Sequence, residues 1–169
     1  PSGHRFRWHD SPAAIGVAHD SVVEAIDAAT AQYSIRTDRI VIAGYGSGGT
    51  MAIRIAMRQP RLFAGAVSVG GHMPECSIKD YKELRGQKLR MLWQWGKDNP
   101  DYTPESLRRD CQTAMSIGSR VELRQYPGND EMDTVVLSDL NRWAMNLILS
   151  GGQTSDDSNR SHPVVYSAN

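Results

Sequence analysis

The sequence predicts an α/β fold, a parallel sheet with helices on both faces. Short continuous apolar runs suit strands that are buried on both sides. These runs alternate with longer segments in which apolar residues recur every three or four positions, which is the period of a helix. Alternating strands and helices are typical of a parallel sheet. The 169 residues suffice for one domain with a sizeable core.

The elements are predicted in the order helix, strand, helix, strand, strand, helix, strand, helix. Residues 72–88 are predicted to form a polar connecting segment that is long enough to include a short helix. The predicted strands are 40–43, 65–69, 89–95 and 121–126. The predicted helices are 13–33, 50–58, one that starts at Pro104 behind a Thr103 cap, and one that opens at Asp133.

Three segments follow from this pattern. Residues 1–12 are an irregular segment, residues 13–150 form the folded domain, and residues 151–169 are a polar, flexible tail. Four strands make a narrow sheet with an exposed hydrophobic edge, which is an aggregation liability. We therefore expect further strands to precede Pro1 in the parent protein.

Composition narrows the classes of partner. Lys plus Arg number 19 and Asp plus Glu number 19, so the net charge is zero. This balance argues against nucleic acid or an anionic membrane as the main partner. No apolar run approaches the roughly 18 residues that span a bilayer. The two cysteines cannot form a disulfide framework, and no His/Cys/Asp cluster has metal-ligand spacing. We predict no metal and no cofactor, and the sequence identifies no protein partner.

The most informative segment is RIVIAGYGSGGT, residues 39–50, where a strand, a glycine turn and a helix follow one another. Gly44, Gly46 and Gly49 match the G-x-G-x-x-G spacing of dinucleotide-binding turns. That site also needs an acidic residue near the end of the next strand, and the next strand ends in Gly70-Gly71. Dinucleotide binding is therefore the weaker interpretation.

The same turn fits the nucleophile elbow, G-x-S-x-G. Gly44 and Gly48 supply the small flanking residues, but the position between them is Gly46, and Ser47 comes one residue later. If Ser47 were the nucleophile, Tyr45 would stand where the turn needs a small side chain. We therefore interpret Ser47 as a residue that starts the following helix.

At this point the chain resembles the phospholipase/carboxylesterase and dienelactone-hydrolase-like group of the α/β-hydrolase superfamily. Residues 39–74 are similar to that group's A-G-F-S-Q-G-G turn and the F-A-G-A-V-S-L-S-G segment that follows it. Residues 92–105 resemble its H-G-x-x-D-x-x-V-P strand end, and 121–132 (VELRQYPGNDEM) resemble V-x-x-x-x-Y-P-G-G-H-E. The resemblance runs from about 13 to 149. It implies an α/β-hydrolase-like sheet that lacks its N-terminal strands in this chain.

The resemblance also implies a degenerate catalytic triad. The serine position is Gly46, the histidine position is Asp130, and the aspartate position is Asn99, with Asp98 as the fallback acid. Without a hydroxyl nothing attacks the carbonyl, and without imidazole no base works near neutral pH. We predict a catalytically impaired pseudoenzyme that binds a ligand or a partner. A carboxylic-ester or acyl hydrolase that uses Ser47 stays the alternative.

A ligand pocket is predicted at the carboxyl edge of the sheet, where open parallel sheets bind ligands. His72 follows the second strand at this edge and joins Gly46, Ser47 and Gly48 as a candidate ligand-binding residue. Amides of Ser47, Gly48 and Gly49 at a helix N-terminus favour a small anionic or ester-like ligand. An ordinary loop histidine and a water-filled helix end remain open as the plainer interpretations.

Overall fold

The computed structural model describes residues 8–150 and 164–167. Strands and helices alternate along the chain, with a short 3-10 turn before the first strand. The strands are β1 Val41–Tyr45, β2 Gly65–Val69, β3 Arg90–Gly96, β4 Arg120–Tyr126 and β5 Val164–Ser167. The helices are α1 Pro12–Gln32, α2 Ser47–Arg58, α3 Ile78–Leu84, α4 Pro104–Ser116 and α5 Thr134–Ser150.

The strands form one parallel sheet in the order β1-β2-β3-β4-β5. The register aligns Gly44 with Ser68, Ser68 with Trp93, and Trp93 with Leu123. All strands run in the same direction, so their carboxyl ends, and the loops that follow them, meet at one edge of the sheet. The four predicted strands and the predicted α/β fold class are confirmed.

Helices cover both faces of the sheet. Side chains that point to one face, such as Ala66, Met91 and Trp93, pack in one cluster with residues of α1, α2 and α4. The alternate residues Val67 and Leu92 pack against Trp143 and Leu147 of α5 on the other face. This arrangement explains why the strands read as continuous apolar runs, since both of their faces are buried.

Two helix starts follow from capping residues that the sequence shows. Thr103 accepts a hydrogen bond from the Ser106 amide at 3.3 Å, and Pro104 is the first helical residue of α4. Asp133 Oδ1 accepts a hydrogen bond from the Val136 amide at 2.8 Å and so caps α5. Both starts are as predicted.

Helix α2 begins three residues earlier than predicted. The Gly46 carbonyl accepts hydrogen bonds from the amides of Gly49 at 2.9 Å and Thr50 at 3.3 Å. The helix therefore grows directly out of the glycine turn, with Ser47 as its first residue. The Gly49 amide, predicted to point outward, is thus used within this first turn.

Strand β5 was not predicted. Val164–Ser167 pairs in parallel with β4, although these residues lie inside the segment predicted as a polar, flexible tail. The rest of that segment, and residues 1–7 of the irregular N-terminal segment, lie outside the described residues. Across the described ranges, none of the helices combines the length and apolar character that a membrane crossing requires.

Candidate functional site

Gly46 occupies the tip of the turn between β1 and α2. Its φ of +53° and ψ of −124° place it in a region that residues with a side chain rarely adopt. Its amide donates a hydrogen bond to the Val69 carbonyl at 2.8 Å, which ties the turn to the end of β2. The main chain therefore makes a sharp, strained bend at Gly46.

Close packing around the turn requires glycine at positions 44 and 49. A Cβ on Gly44 would overlap the Gly48 carbonyl, and one on Gly49 would overlap the Ser68 hydroxyl. A Cβ on Gly48 would meet only the Trp8 side chain, at 3.5 Å. At position 46 a Cβ would have no heavy atom of the described residues within 4 Å, so the tip of the turn is open within the described part of the chain.

Ser47 lies beside the tip rather than on it. As the first residue of α2, it accepts a hydrogen bond at Oγ from the Trp8 amide at 3.1 Å. His19 Nε2 lies 2.8 Å from the amide nitrogen of Gln59, just past the opposite end of α2. His72 has a different partner, described below. These contacts agree with Ser47 as a helix-start residue.

Asp130 lies in the loop after β4 and reaches across the carboxyl edge of the sheet. Its Oδ1 accepts a hydrogen bond from the Gly96 amide at 2.6 Å, and its Oδ2 accepts one from Asn99 Nδ2. The Tyr45 hydroxyl donates to its main-chain carbonyl at 2.7 Å. A Cβ on Gly70 would overlap the Asp130 carboxylate. The structure thus brings the predicted acid and base positions, 99 and 130, into contact.

Asp98, the fallback acid, contacts a different group. Its Oδ2 accepts a hydrogen bond from the Gly128 amide at 3.1 Å, and its own amide donates to the Gly128 carbonyl at 2.9 Å. Asp98 therefore braces the turn that follows β4. Asn99 is the residue that contacts position 130.

The Asp130 carboxyl titrates above its ordinary range. Burial raises its pKa, and the hydrogen bonds from the Gly96 amide and Asn99 oppose this shift. The negative charge of Asp101 raises the pKa further, whereas His72 lowers it.

A second cluster adjoins this site and contains His72. The imidazole Nδ1 lies 3.4 Å from Asp110 Oδ2, and the ring centroid lies 4.2 Å from that of Tyr102. Asp110, on α4, is buried and accepts hydrogen bonds from the Met73 amide and the Tyr102 hydroxyl, both at 2.9 Å. Burial, and then the charge of Asp110, raise the pKa of Tyr102, so its hydroxyl stays protonated.

The main chain leading to His72 rests on the turn at Gly46. The buried Ser68 hydroxyl donates to the Gly71 carbonyl at 2.9 Å and accepts from the Gly71 amide at 3.2 Å. Trp93 Nε1 donates to the same carbonyl at 3.2 Å. A Cβ on Gly71 would overlap the Gly46 carbonyl. His72 is therefore one residue away from a direct contact with the turn.

Sequence reasoning singled out His72 and missed its partners. The available signal was Asp110, which stands next to Cys111 within the apolar stripe Leu107, Cys111, Ala114 of α4. A carboxylate at the margin of a buried face needs a partner, because burying an unpaired charge is costly. The sequence does not show which histidine or tyrosine contacts Asp110.

Other features of the described residues lie outside this edge. No group of three His, Cys, Asp or Glu side chains within residues 8–150 could hold a metal ion. A cavity of about 180 Å³ lies between β4 and α5, lined by charged residues that include Glu122, Arg124 and Arg142. None of its lining residues belongs to the site around Gly46 and His72.

Solved structures share this fold. A structure of SOBER1 from Arabidopsis thaliana is 19% identical, with a TM-score of 0.69 over 82% of this chain and 66% of that chain. A phospholipase/carboxylesterase from Dyadobacter fermentans is 19% identical, with a TM-score of 0.63 over 80% and 65%. A carboxylesterase from Mesorhizobium loti is 15% identical, with a TM-score of 0.67 over 86% and 71%. The chain thus spans about two thirds of the length of these proteins.

The fold and the turn at Gly46 are those of the α/β-hydrolase superfamily, and two of these neighbours are named as a phospholipase/carboxylesterase and a carboxylesterase, in line with the group that the sequence resembles. Within that superfamily, the model of the prolyl oligopeptidase family matches residues 4–110. This is more than half of the chain, which therefore belongs to the prolyl oligopeptidase family. No curated protein sequence matches it significantly.

Proposed function

We propose that this protein has lost serine-hydrolase chemistry and binds a small anionic or ester-like ligand at the carboxyl edge of its sheet. The observation that carries the proposal is the residue at the tip of the turn. Gly46 has the strained main chain of a nucleophile position and no oxygen to attack a carbonyl. Glycine also adopts this φ more readily than serine would.

The pair at positions 99 and 130 supports the loss of catalysis. In a working triad the acid orients an imidazole, which takes the proton of the serine hydroxyl. Here Asn99 donates a hydrogen bond to Asp130. The two positions are in contact, but they carry an amide and a carboxyl instead of an acid and an imidazole. Asp130 is a carboxyl whose two oxygens are already engaged by Asn99 and the Gly96 amide. Such a group is a poor base for a hydroxyl.

The proposed ligand follows from the groups around the turn. Among the described residues nothing covers the tip at Gly46, His72 is about half exposed, and the half-exposed Tyr45 reaches over Asp130. An imidazole and main-chain amides of a helix start can bind the oxygens of a carboxylate or an ester. The names of the similar structures, carboxylesterases, favour an ester-like ligand.

A fluorophosphonate probe tests the loss of the nucleophile. The wild-type protein is expected to stay unlabelled, because the probe reacts with activated serines. The variant Gly46→Ser/Asn99→Asp/Asp130→His is expected to become labelled at position 46, since a Cβ there meets no neighbour. Gly46→Ser alone is the matched control and should react far more slowly, because it lacks the imidazole. Labelling of wild type at any serine would overturn the proposal.

The binding claim needs a separate measurement. We expect ligand-observed NMR to show saturable binding of sodium benzoate or methyl benzoate to the wild-type protein. Absence of binding to both probes would remove the ligand part of the proposal.

Acyl hydrolysis through Ser47 is the alternative, and no contact of Ser47 with the described residues favours it. Its hydroxyl accepts a hydrogen bond from the Trp8 amide, and the imidazoles of His19 and His72 have other partners. The fluorophosphonate experiment decides between the two functions. Labelling of wild type that disappears in Ser47→Ala would establish the alternative.

A further inference from the structure

His72 Nδ1 lies 3.4 Å from the buried carboxylate of Asp110, outside the triad-equivalent positions 46, 99 and 130. We propose that His72, held by Asp110, acts as a general base that activates water for direct attack on a small carboxylic ester. This inference rests on the pocket of the proposed function. It adds an activity that needs no serine and forms no acyl-enzyme.

Asp110 is suited to orient an imidazole. It is a buried carboxylate, and its Oδ2 already accepts hydrogen bonds from the Met73 amide and the Tyr102 hydroxyl. The same oxygen lies 3.4 Å from His72 Nδ1. A carboxylate only accepts hydrogen bonds, so it favours the tautomer with the proton on Nδ1. Nε2 is then the proton acceptor.

The imidazole is held in place by its surroundings. Its ring lies against Tyr102, with the centroids 4.2 Å apart and the planes tilted by 57°. The preceding Gly71 is fixed from both sides by the Ser68 hydroxyl and receives the Trp93 indole N–H. A side chain fixed in this way loses little freedom when it meets a substrate, which is a requirement for efficient proton transfer.

The turn beside His72 leaves space for a water molecule. Among the described residues, a Cβ at Gly46 would have no heavy atom within 4 Å, which leaves room there for a water molecule. Gly71, next to His72, packs directly on the Gly46 carbonyl. The proposal places the attacking water between the tip of the turn and the imidazole.

The reaction balances without any further reactant. The water oxygen forms a bond to the ester carbonyl carbon while His72 Nε2 takes a proton from that water. The tetrahedral intermediate then collapses, the bond from carbon to the leaving-group oxygen breaks, and the leaving alcohol takes the proton from His72. The products are a carboxylic acid and an alcohol, and His72 returns to its neutral state.

Titratable groups of two segments contact His72, namely Asp110 from α4 and Tyr102 from the loop before α4. Tyr102 stays protonated because burial raises its pKa.

Hydrolysis of phenyl acetate by the fluorophosphonate-treated protein is the test. We expect the wild-type rate above buffer to survive the probe and to fall on the order of 10²-fold in His72→Gln, the scale of a general base. His19→Gln is the matched control, since His19 also has a carboxylate neighbour, Asp20 at 3.0 Å, but lies at the other end of α2. It should keep the wild-type rate.

A structural role for His72 would give a different pattern. If His72 is the base, added imidazole should restore activity to a His72→Ala variant saturably above the reaction in free solution. Asp110→Asn, as a positioning variant, should lower the rate while the protein stays folded by circular dichroism. Equal rates for His72→Gln and His19→Gln, or no wild-type hydrolysis above buffer, would overturn the inference. Either result leaves the proposed ligand binding intact, whereas serine labelling would overturn that proposal instead.

Discussion

Gly46 and Gly70 both have positive φ, +53° and +67°, yet their surroundings differ. A Cβ on Gly46 would meet none of the described residues, whereas one on Gly70 would overlap the carboxylate of Asp130. Gly46 is thus required by conformation alone. Gly70 is required by conformation and by the side chain that lies against it.

This difference gives a paired prediction. Gly46→Ala should lower the free energy of unfolding by about 1–3 kcal/mol, the cost of holding a side chain in a strained conformation. Gly70→Ala should cost a further ~1–3 kcal/mol, because Asp130 must move. Urea unfolding followed by circular dichroism measures both values. Equal losses for the two variants would show that Asp130 yields freely.

For individual site residues, the sequence was informative wherever the spacing of residues matched a known motif. The turn at Gly46 and the facing positions Asn99 and Asp130 follow from spacing and from the resemblance. The contact between Asp110 and His72 does not, since it joins a helix to a strand end 38 positions away in the chain. Such contacts depend on how α4 packs on the sheet, which no local pattern encodes.

Among the elements, β4 and α5 are joined by buried polar groups. The Tyr126 hydroxyl accepts a hydrogen bond from Gln94 Nε2 at 2.8 Å and donates one to Asp139 Oδ2 at 2.9 Å. Gln94 also donates to the Val136 carbonyl at 2.8 Å. Burial raises the pKa of Tyr126 to about 12, so the hydroxyl remains a donor at neutral pH. These bonds fix α5 to its face of the sheet.

Tyr126→Phe should therefore destabilise the fold. Removing the hydroxyl breaks two hydrogen bonds, although Gln94 keeps the Val136 carbonyl and Asp139 keeps Arg142 as partners. Losing these bonds from a buried network costs about 1–3 kcal/mol. The control is Tyr33→Phe, because Tyr33 is 67% exposed and its loss should change stability little. Thermal unfolding of both variants checks this. A Tyr126→Phe variant as stable as the control would mean that water replaces the lost bonds.

The elements themselves were largely predictable because their signals are local. Helical periodicity and caps located α1, α4 and α5, apolar runs located the first strands, and the alternation of apolar and polar residues located β4. Strand β5 was not predicted, because four residues within a polar segment show no periodicity. Its pairing with β4 joins residues that lie far apart in the sequence. The early start of α2 was not predicted, because it depends on the strained main chain of Gly46.

For the whole molecule, the sheet separates a large core cluster from a smaller one under α5. Cys111 lies in the large cluster, only 4% exposed. Burial, and then the charge of Asp110, raise the pKa of its thiol to about 12. The thiolate is the reactive form, so Cys111 is protected both by its protonation and by its position.

Cys111 should consequently report global unfolding. In a Cys76→Ser background, where it is the sole cysteine, we expect the native protein at pH 8 to resist a disulfide reagent such as dithionitrobenzoate. The same protein in denaturing urea should react fully. The reaction rate against urea should follow the unfolding transition seen by circular dichroism. Rapid reaction in the absence of urea would show that α4 opens locally.

Bare main chain lines the carboxyl edge of the sheet at the ends of β2 and β3. Side chains at Gly70, Gly71 or Gly96 would collide with Asp130, the Gly46 carbonyl or Asn129. The shape of this edge therefore cannot be altered by substituting these glycines. Changes in its chemistry, whether evolved or engineered, have to arise at neighbouring positions such as 46, 72 and 130, while the main chain beneath stays constant.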